Sequence, residues 1–135
     1  MKDISEASSP VSIDRKLLEK DVQKMCVDWA RKRGYWARKF SSQSQRSVPD
    51  YLFSREWKTR DDKHGTDWAV VKFATEFKKP GTKPKLIEKY GIYVMSTEAQ
   101  YEEQVAMRVA GWFVFECDNF DKFKATVIAY EQECA

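Results

Sequence analysis

The chain has 135 residues and a net charge of only +3, with 42% hydrophobic and 33% charged residues, a size that accommodates one ordinary core and not two. No apolar run reaches the ~20 residues that cross a bilayer, and the opening MKDISEASSPVS lacks an apolar signal segment, so a soluble intracellular protein is expected. Three scattered cysteines without a CxxC pair and a single histidine argue against structural zinc or a disulfide framework.

Residues 1–12, polar, Ser-rich and containing Pro10, read as a flexible lead-in to one domain over 13–135. Leu18, Val22, Met25 and Trp29 then recur at helical spacing, with Cys26 and Ala30 widening the stripe. A helix is expected from Asp14 to Arg33, closed by Gly34 in the left-handed position. The aromatic run Tyr35 to Phe40 follows, then a polar loop, Ser41 to Ser47, and a strand opening at Val48-Pro49, where proline is tolerated. Lys58 to Gly65, charged and ending in glycine, reads as the turn returning the chain into a strand over Asp67 to Lys79. In that strand Phe73, Thr75 and Phe77 fall on one face, and Lys72, Ala74, Glu76 and Lys78 on the other.

Thr82 to Met95 is basic and poorly periodic, and reads as a connection. A second helix is expected over Thr97 to Ala110, its apolar side formed by Tyr101, Val105 and Val109. A strand over Trp112 to Cys117 and a C-terminal helix marked by Phe120, Phe123 and Val127 complete the chain. The order αβββαβα describes an α/β domain with a mixed sheet flanked by helices. Trp36, Trp57 and Trp112 are expected in its core, and His64, in a charged turn, has no expected role.

Hydrolysis of a phosphodiester takes a metal that gathers negative charge and lowers the pKa of a water, carboxylates that hold it, and a cation that steadies the transition state. Asp50 and Glu76 are oxygen donors of the kind hard Mg²⁺ prefers. They would meet side by side if the segment between them forms a hairpin. Lys78 would share their face, and Phe77, pointing inward, would leave its backbone carbonyl as a further metal ligand. Arg38, Lys39, Ser42, Gln45 and Arg46 offer donors for phosphate, and Lys79, Lys83 and Lys85 extend that track after the strand.

Pro49-Asp50 followed by Glu76-Phe77-Lys78 matches the pattern of the PD-(D/E)xK nuclease superfamily. The chain resembles in particular its VRR-NUC branch, through Arg38-Lys39-Phe40, Ser47-Val48-Pro49-Asp50, Glu76 to Gly81, and Thr97-Glu98-Ala99-Gln100 with the helix to Gly111. These stretches span most of residues 19–117 in the family's order. The resemblance implies a PD-(D/E)xK-like fold and a Mg²⁺- or Mn²⁺-dependent DNA endonuclease acting on branched or otherwise structured DNA, with some stand-alone members forming homodimers. It implies metal binding by Asp50 and Glu76, an assisting Lys78, Gln100 beside the site, and products ending in 3′-hydroxyl and 5′-phosphate. Ser47 stands where many relatives have glycine. A carboxylate on the first helix is common in the superfamily, and both Glu19 and Gln23 are candidates for that position.

Each of these residues also has a plainer reading. Glu and Lys two apart on a strand are often mere solvent-facing neighbours, Asp after Pro forms turns, and Thr97-x-x-Gln100 has the form of a helix capping box. Two rival functions stand beside the nuclease: a non-catalytic DNA-binding module, and a sequence-specific restriction-type enzyme. The latter would need an element that reads base edges, and no insertion of that size is visible.

Overall fold

A computed structural model describes residues 17–40, 48–61 and 65–134. The expected lead-in, the first residues of the expected first helix, the Ser41 to Ser47 loop with Ser42, Gln45 and Arg46, His64 and the Trp57 side chain lie outside the described residues. In chain order the elements are α1 (Glu19–Lys32), β1 (Trp36–Lys39), β2 (Tyr51–Asp61), β3 (Gly65–Phe77), β4 (Lys85–Ile87), β5 (Ile92–Val94), α2 (Glu98–Val109), β6 (Phe113–Cys117) and α3 (Phe120–Cys134). The domain is mixed α/β. Its main sheet has the order β1-β2-β3-β6, in which β1, β2 and β3 pair antiparallel and β6 joins β3 in parallel. No helix among the described residues is long and apolar enough to cross a membrane.

α1 begins where the Asp21 carboxylate accepts the Leu18 N–H, at 2.8 Å, which satisfies one of the donors a helix start leaves over. Its buried stripe is Val22, Cys26, Val27 and Ala30. Gly34, at φ 102°, turns the chain out of the helix in a conformation that side chains resist. On the sheet face that α1 covers, Phe53 and Phe73 stack across neighbouring strands with ring centroids 4.8 Å apart. Phe123 of α3 packs on Phe53, Phe73, Phe77 and Phe115, and such aromatic contacts add to the area they bury.

Several expectations need correction. The described residues of the Lys58 to Gly65 stretch are strand, because β2 and β3 stay paired out to Asp61 and Gly65; charged side chains do not by themselves interrupt a backbone ladder. Thr82 to Met95 contains the small hairpin β4-β5, pairing Lys85 with Val94, Leu86 with Tyr93 and Ile87 with Ile92. Strands of three residues are too short to display a period. Finally, α2 does not bury Val105 and Val109, and Val109 is 84% exposed.

The stripe that α2 turns to the sheet is polar. Gln100 reaches Glu76 and Lys78, Gln104 donates to the Ser96 hydroxyl at 2.9 Å, and Arg108 donates to the Val114 carbonyl at 2.9 Å. These residues are four apart and so share one helix face. Helix α2 thus lies over the sheet face opposite α1 and α3, and Phe73 through Phe77 are buried on both faces of β3. Trp36 is likewise not in the core. It sits on the edge strand β1 and on the face away from α1 and α3, and is 52% exposed.

One ion pair ties the last helix to the first. Arg33 grips Glu131 through Nε and one terminal nitrogen, at 2.9 and 2.6 Å, and the Tyr35 hydroxyl donates to the same carboxylate at 2.7 Å. Burial alone would push the Glu131 pKa up, but the hydrogen bonds from Arg33 and Tyr35 outweigh it and hold the carboxyl below its usual range. A depressed carboxyl contributes its full stabilisation above the unfolded value of 4.5 and loses it as pH falls through the folded pKa. Glu131→Gln should therefore lower unfolding free energy at neutral pH by roughly 1–3 kcal/mol. In denaturant melts the difference from the native protein should close on acidification below the usual carboxylate range; a difference independent of pH would refute the ionic origin.

Candidate active site

The register of the long hairpin positions the two carboxylates. Tyr51 pairs with Thr75, and the Phe40 N–H donates to the Asp50 carbonyl at 2.7 Å, so Phe40, Asp50 and Glu76 continue one row across β1, β2 and β3. The next residue of that row, Glu116 on β6, pairs with Glu76. Alternation along a strand then turns the Asp50, Glu76 and Lys78 side chains to the α2 side, with Phe77 fully buried in the core between Glu76 and Lys78. Asp50 Oδ2 accepts the Phe77 N–H at 2.9 Å, which fixes the carboxylate against the end of β3.

Lys78 approaches Glu76 with Nζ 3.8 Å from Oε2 and donates to Gln100 Oε1 at 3.0 Å. Gln100 Nε2 stands 3.5 Å from Glu76 Oε2. The same Gln100 Oε1 accepts the Thr97 N–H at 2.9 Å while the Gln100 N–H donates to Thr97 Oγ1 at 3.1 Å. The capping box and the contact with Lys78 are therefore both present, made by one side chain.

Glu76 is only 3% exposed and its Oε1 has no hydrogen-bond partner among the described residues. Burial first, and then the neighbouring Asp50 charge, push its pKa up to about 8, against the opposing pull of Lys78. Glu19 at the start of α1 belongs to the same electrostatic neighbourhood. Its pKa is raised by burial and then by Asp50, with Lys78 acting in the opposite sense. Gln23 donates to Glu19 at 3.3 Å, so both first-helix candidates lie together, with Glu19 the one that feels the Asp50 and Lys78 charges.

Among the described residues no three His, Cys, Asp or Glu side chains converge into a ready-made metal cage. What the geometry brings together is a carboxylate pair, one cation and one amide. Arg38, Lys39, Lys79 and Lys83 are all exposed, with Arg38 and Lys39 on β1 beside the site and Lys79 directly after Lys78.

The sequence reading passed over Glu116. Its Oε1 accepts the Met95 N–H at 3.0 Å and its Oε2 is buried without a partner among the described residues. It therefore holds the chain just before the cap of α2. The signal for it was the parity of Trp112, Val114 and Glu116 along the last strand, which places Glu116 on the Glu76 face once β6 is paired with β3. Known protein-family models and curated proteins give no match to this chain.

A buried carboxyl raised above its unfolded value stabilises the fold fully below 4.5 and loses that contribution as pH rises toward about 8. Glu76→Gln should accordingly stabilise the protein at neutral pH by about 1–3 kcal/mol, as removing a charge from a costly buried environment often does. Thermal melts in EDTA should show the gain opening between acidic and neutral pH. A variant less stable than the native protein at every pH would contradict it.

Proposed function

We propose that this protein is a divalent-metal-dependent DNA endonuclease of the VRR-NUC kind, with Asp50, Glu76 and Lys78 at its centre and Gln100 beside them. The observation that carries this reading is the convergence of these four side chains beside one sheet face, although Glu76 and Gln100 lie 24 residues apart in sequence. Their individual plainer readings do not require them to meet.

The donor set fits a hard cation. Glu76 Oε1 has no partner among the described residues and Asp50 crowds the same carboxyl, so the pair carries negative charge that a divalent ion would neutralise. Asp50 and Glu76 would hold it, with the Phe77 carbonyl and Glu19 as further oxygen donors. A site with few protein ligands suits Mg²⁺ or Mn²⁺, which keeps waters and takes substrate phosphate oxygens. Bound there, the ion supplies a Lewis acid that draws charge from the scissile phosphate and lowers the pKa of an attacking water.

The protein's own groups do the rest. Lys78, 16% exposed on its side chain, places a positive charge where the phosphate gains negative charge, in surroundings that strengthen it. Gln100 accepts from Lys78 and so aims its ammonium group. Arg38, Lys39, Lys79 and Lys83 would bind phosphates on either side, joined by Ser42, Gln45 and Arg46. In-line attack then leaves a 3′-hydroxyl and a 5′-phosphate. Branched or junction DNA is the substrate class this reading favours, and paired cuts across such a junction would take two copies of the chain related by a two-fold axis.

A panel of single strands, duplexes, flaps and four-way junctions tests the reading. Mg²⁺ or Mn²⁺ should support cleavage and EDTA should abolish it. Glu76→Ala and Lys78→Ala should each slow cleavage by about 10²-fold or more while leaving DNA affinity in Ca²⁺ nearly unchanged, since interactions specific to the transition state act on rate. Cleavage undiminished in EDTA would refute the mechanism, and binding without cleavage in any metal would make the protein a non-catalytic DNA-binding module.

A further inference from the structure

The sheet face that carries the carboxylates is wider than the helix that covers it. Three rows run across it, set by the strand registers. The first is Phe40, Asp50, Glu76 and Glu116, and the second is Arg38, Leu52, Ala74 and Val114. The third is Trp36, Ser54, Lys72 and Trp112. Helix α2 lies over the β3 and β6 side, where Ala74 and Val114 are buried. On the β1 and β2 side, Trp36 and Arg38 are exposed and Leu52 and Ser54 are half-buried.

Both ends of the third row hold a cation over an indole. The Arg38 guanidinium lies 5.9 Å from the Trp36 ring centroid, and Lys72 Nζ lies 5.0 Å from that of Trp112. A large aromatic on an edge strand, half exposed and next to a guanidinium, gains nothing for the core. Beyond this row the face presents Glu56 and Val70, so the cationic aromatic strip ends there and begins at the carboxylates.

We propose that this strip is a platform for single-stranded DNA leading into the cleavage site, with Trp36 stacking on an unpaired base and Arg38 and Lys72 meeting the backbone phosphates. This deepens the endonuclease reading and rests on it. Charge decides the class of occupant, because Arg38 and Lys72 are placed along the strip while Glu56 stands only at its far end. Stacking decides the strandedness. In a duplex the faces of the bases are already occupied by their neighbours, so an indole lying on an open sheet finds a free base only in an unpaired strand. The Trp36 row is four residues from the Asp50 row, about 13 Å at strand spacing, or about four nucleotides at the ~3.4 Å of a stacked strand.

The test compares binding of a fluorescent oligothymidylate and a blunt duplex of equal length, both in Ca²⁺, to the native protein, Trp36→Ala and Trp36→Phe. Trp36→Ala should weaken single-strand binding about tenfold, as loss of one stacking aromatic does, and change duplex binding less than twofold. Trp36→Phe should restore most of the loss. Equal loss on both DNAs, no loss on either, or failure of the native protein to bind the single strand would overturn the platform. So would light scattering in which Trp36→Ala turns a dimer into monomers, because the face would then join copies of the chain. Cleavage in Mg²⁺ is read separately: a native protein that never cuts but shows the Trp36 pattern loses the endonuclease reading and keeps the platform.

Discussion

A buried carboxylate stays beside a second one only when the backbone compels it, and here the ladder of the β2-β3 hairpin holds Glu76 beside half-buried Asp50. Pairing Tyr51 with Thr75 puts Asp50 opposite Glu76, and a slip of one residue would turn Glu76 into the core and Phe77 out of it. The stacked Phe53 and Phe73, sealed by Phe123, resist that slip. The aromatic core is thus what holds the polar site in register, and the cost of crowding Asp50 against Glu76 is met by packing on the opposite face of the same strands.

Much of this arrangement was legible in the sequence. The helix stripe from Val22 to Ala30, the alternation along Phe73 to Lys78 and the proline before Asp50 carry physical signals that survive without tertiary context. The failures share a cause. Val105 and Val109 have the spacing of a buried stripe, yet it is Gln100, Gln104 and Arg108 of α2 that find partners, in Glu76, the Ser96 hydroxyl and the Val114 carbonyl. Periodicity reports which residues could share a face; it does not report whether the partner surface is polar. Trp36 misled in the same way, since its size suggests burial but its strand is an edge strand with one open face.

The candidate site was legible to a different degree. Asp50, Glu76 and Lys78 follow from strand parity and a hairpin, and the two readings of Gln100, cap and site neighbour, turn out to be compatible in one side chain. Glu116 was out of reach, because its place depends on a parallel pairing between strands separated by the whole of α2. The β4-β5 hairpin was missed for lack of length, although Tyr90 and Lys89 fasten its turn to Glu102 of α2. That attachment fixes the segment joining β3 to the helix that contributes Gln100.

The double duty of Gln100 links two properties that are usually separate. Its Oε1 accepts from the Thr97 N–H and from Lys78, so fraying of the first turn of α2 takes a hydrogen-bond acceptor away from the Lys78 ammonium group. Helix ends are ordinarily the places where a fold opens first and most cheaply. In this protein such an opening also alters the surroundings of Lys78, which links the local stability of one helical turn to the placement of that ammonium group.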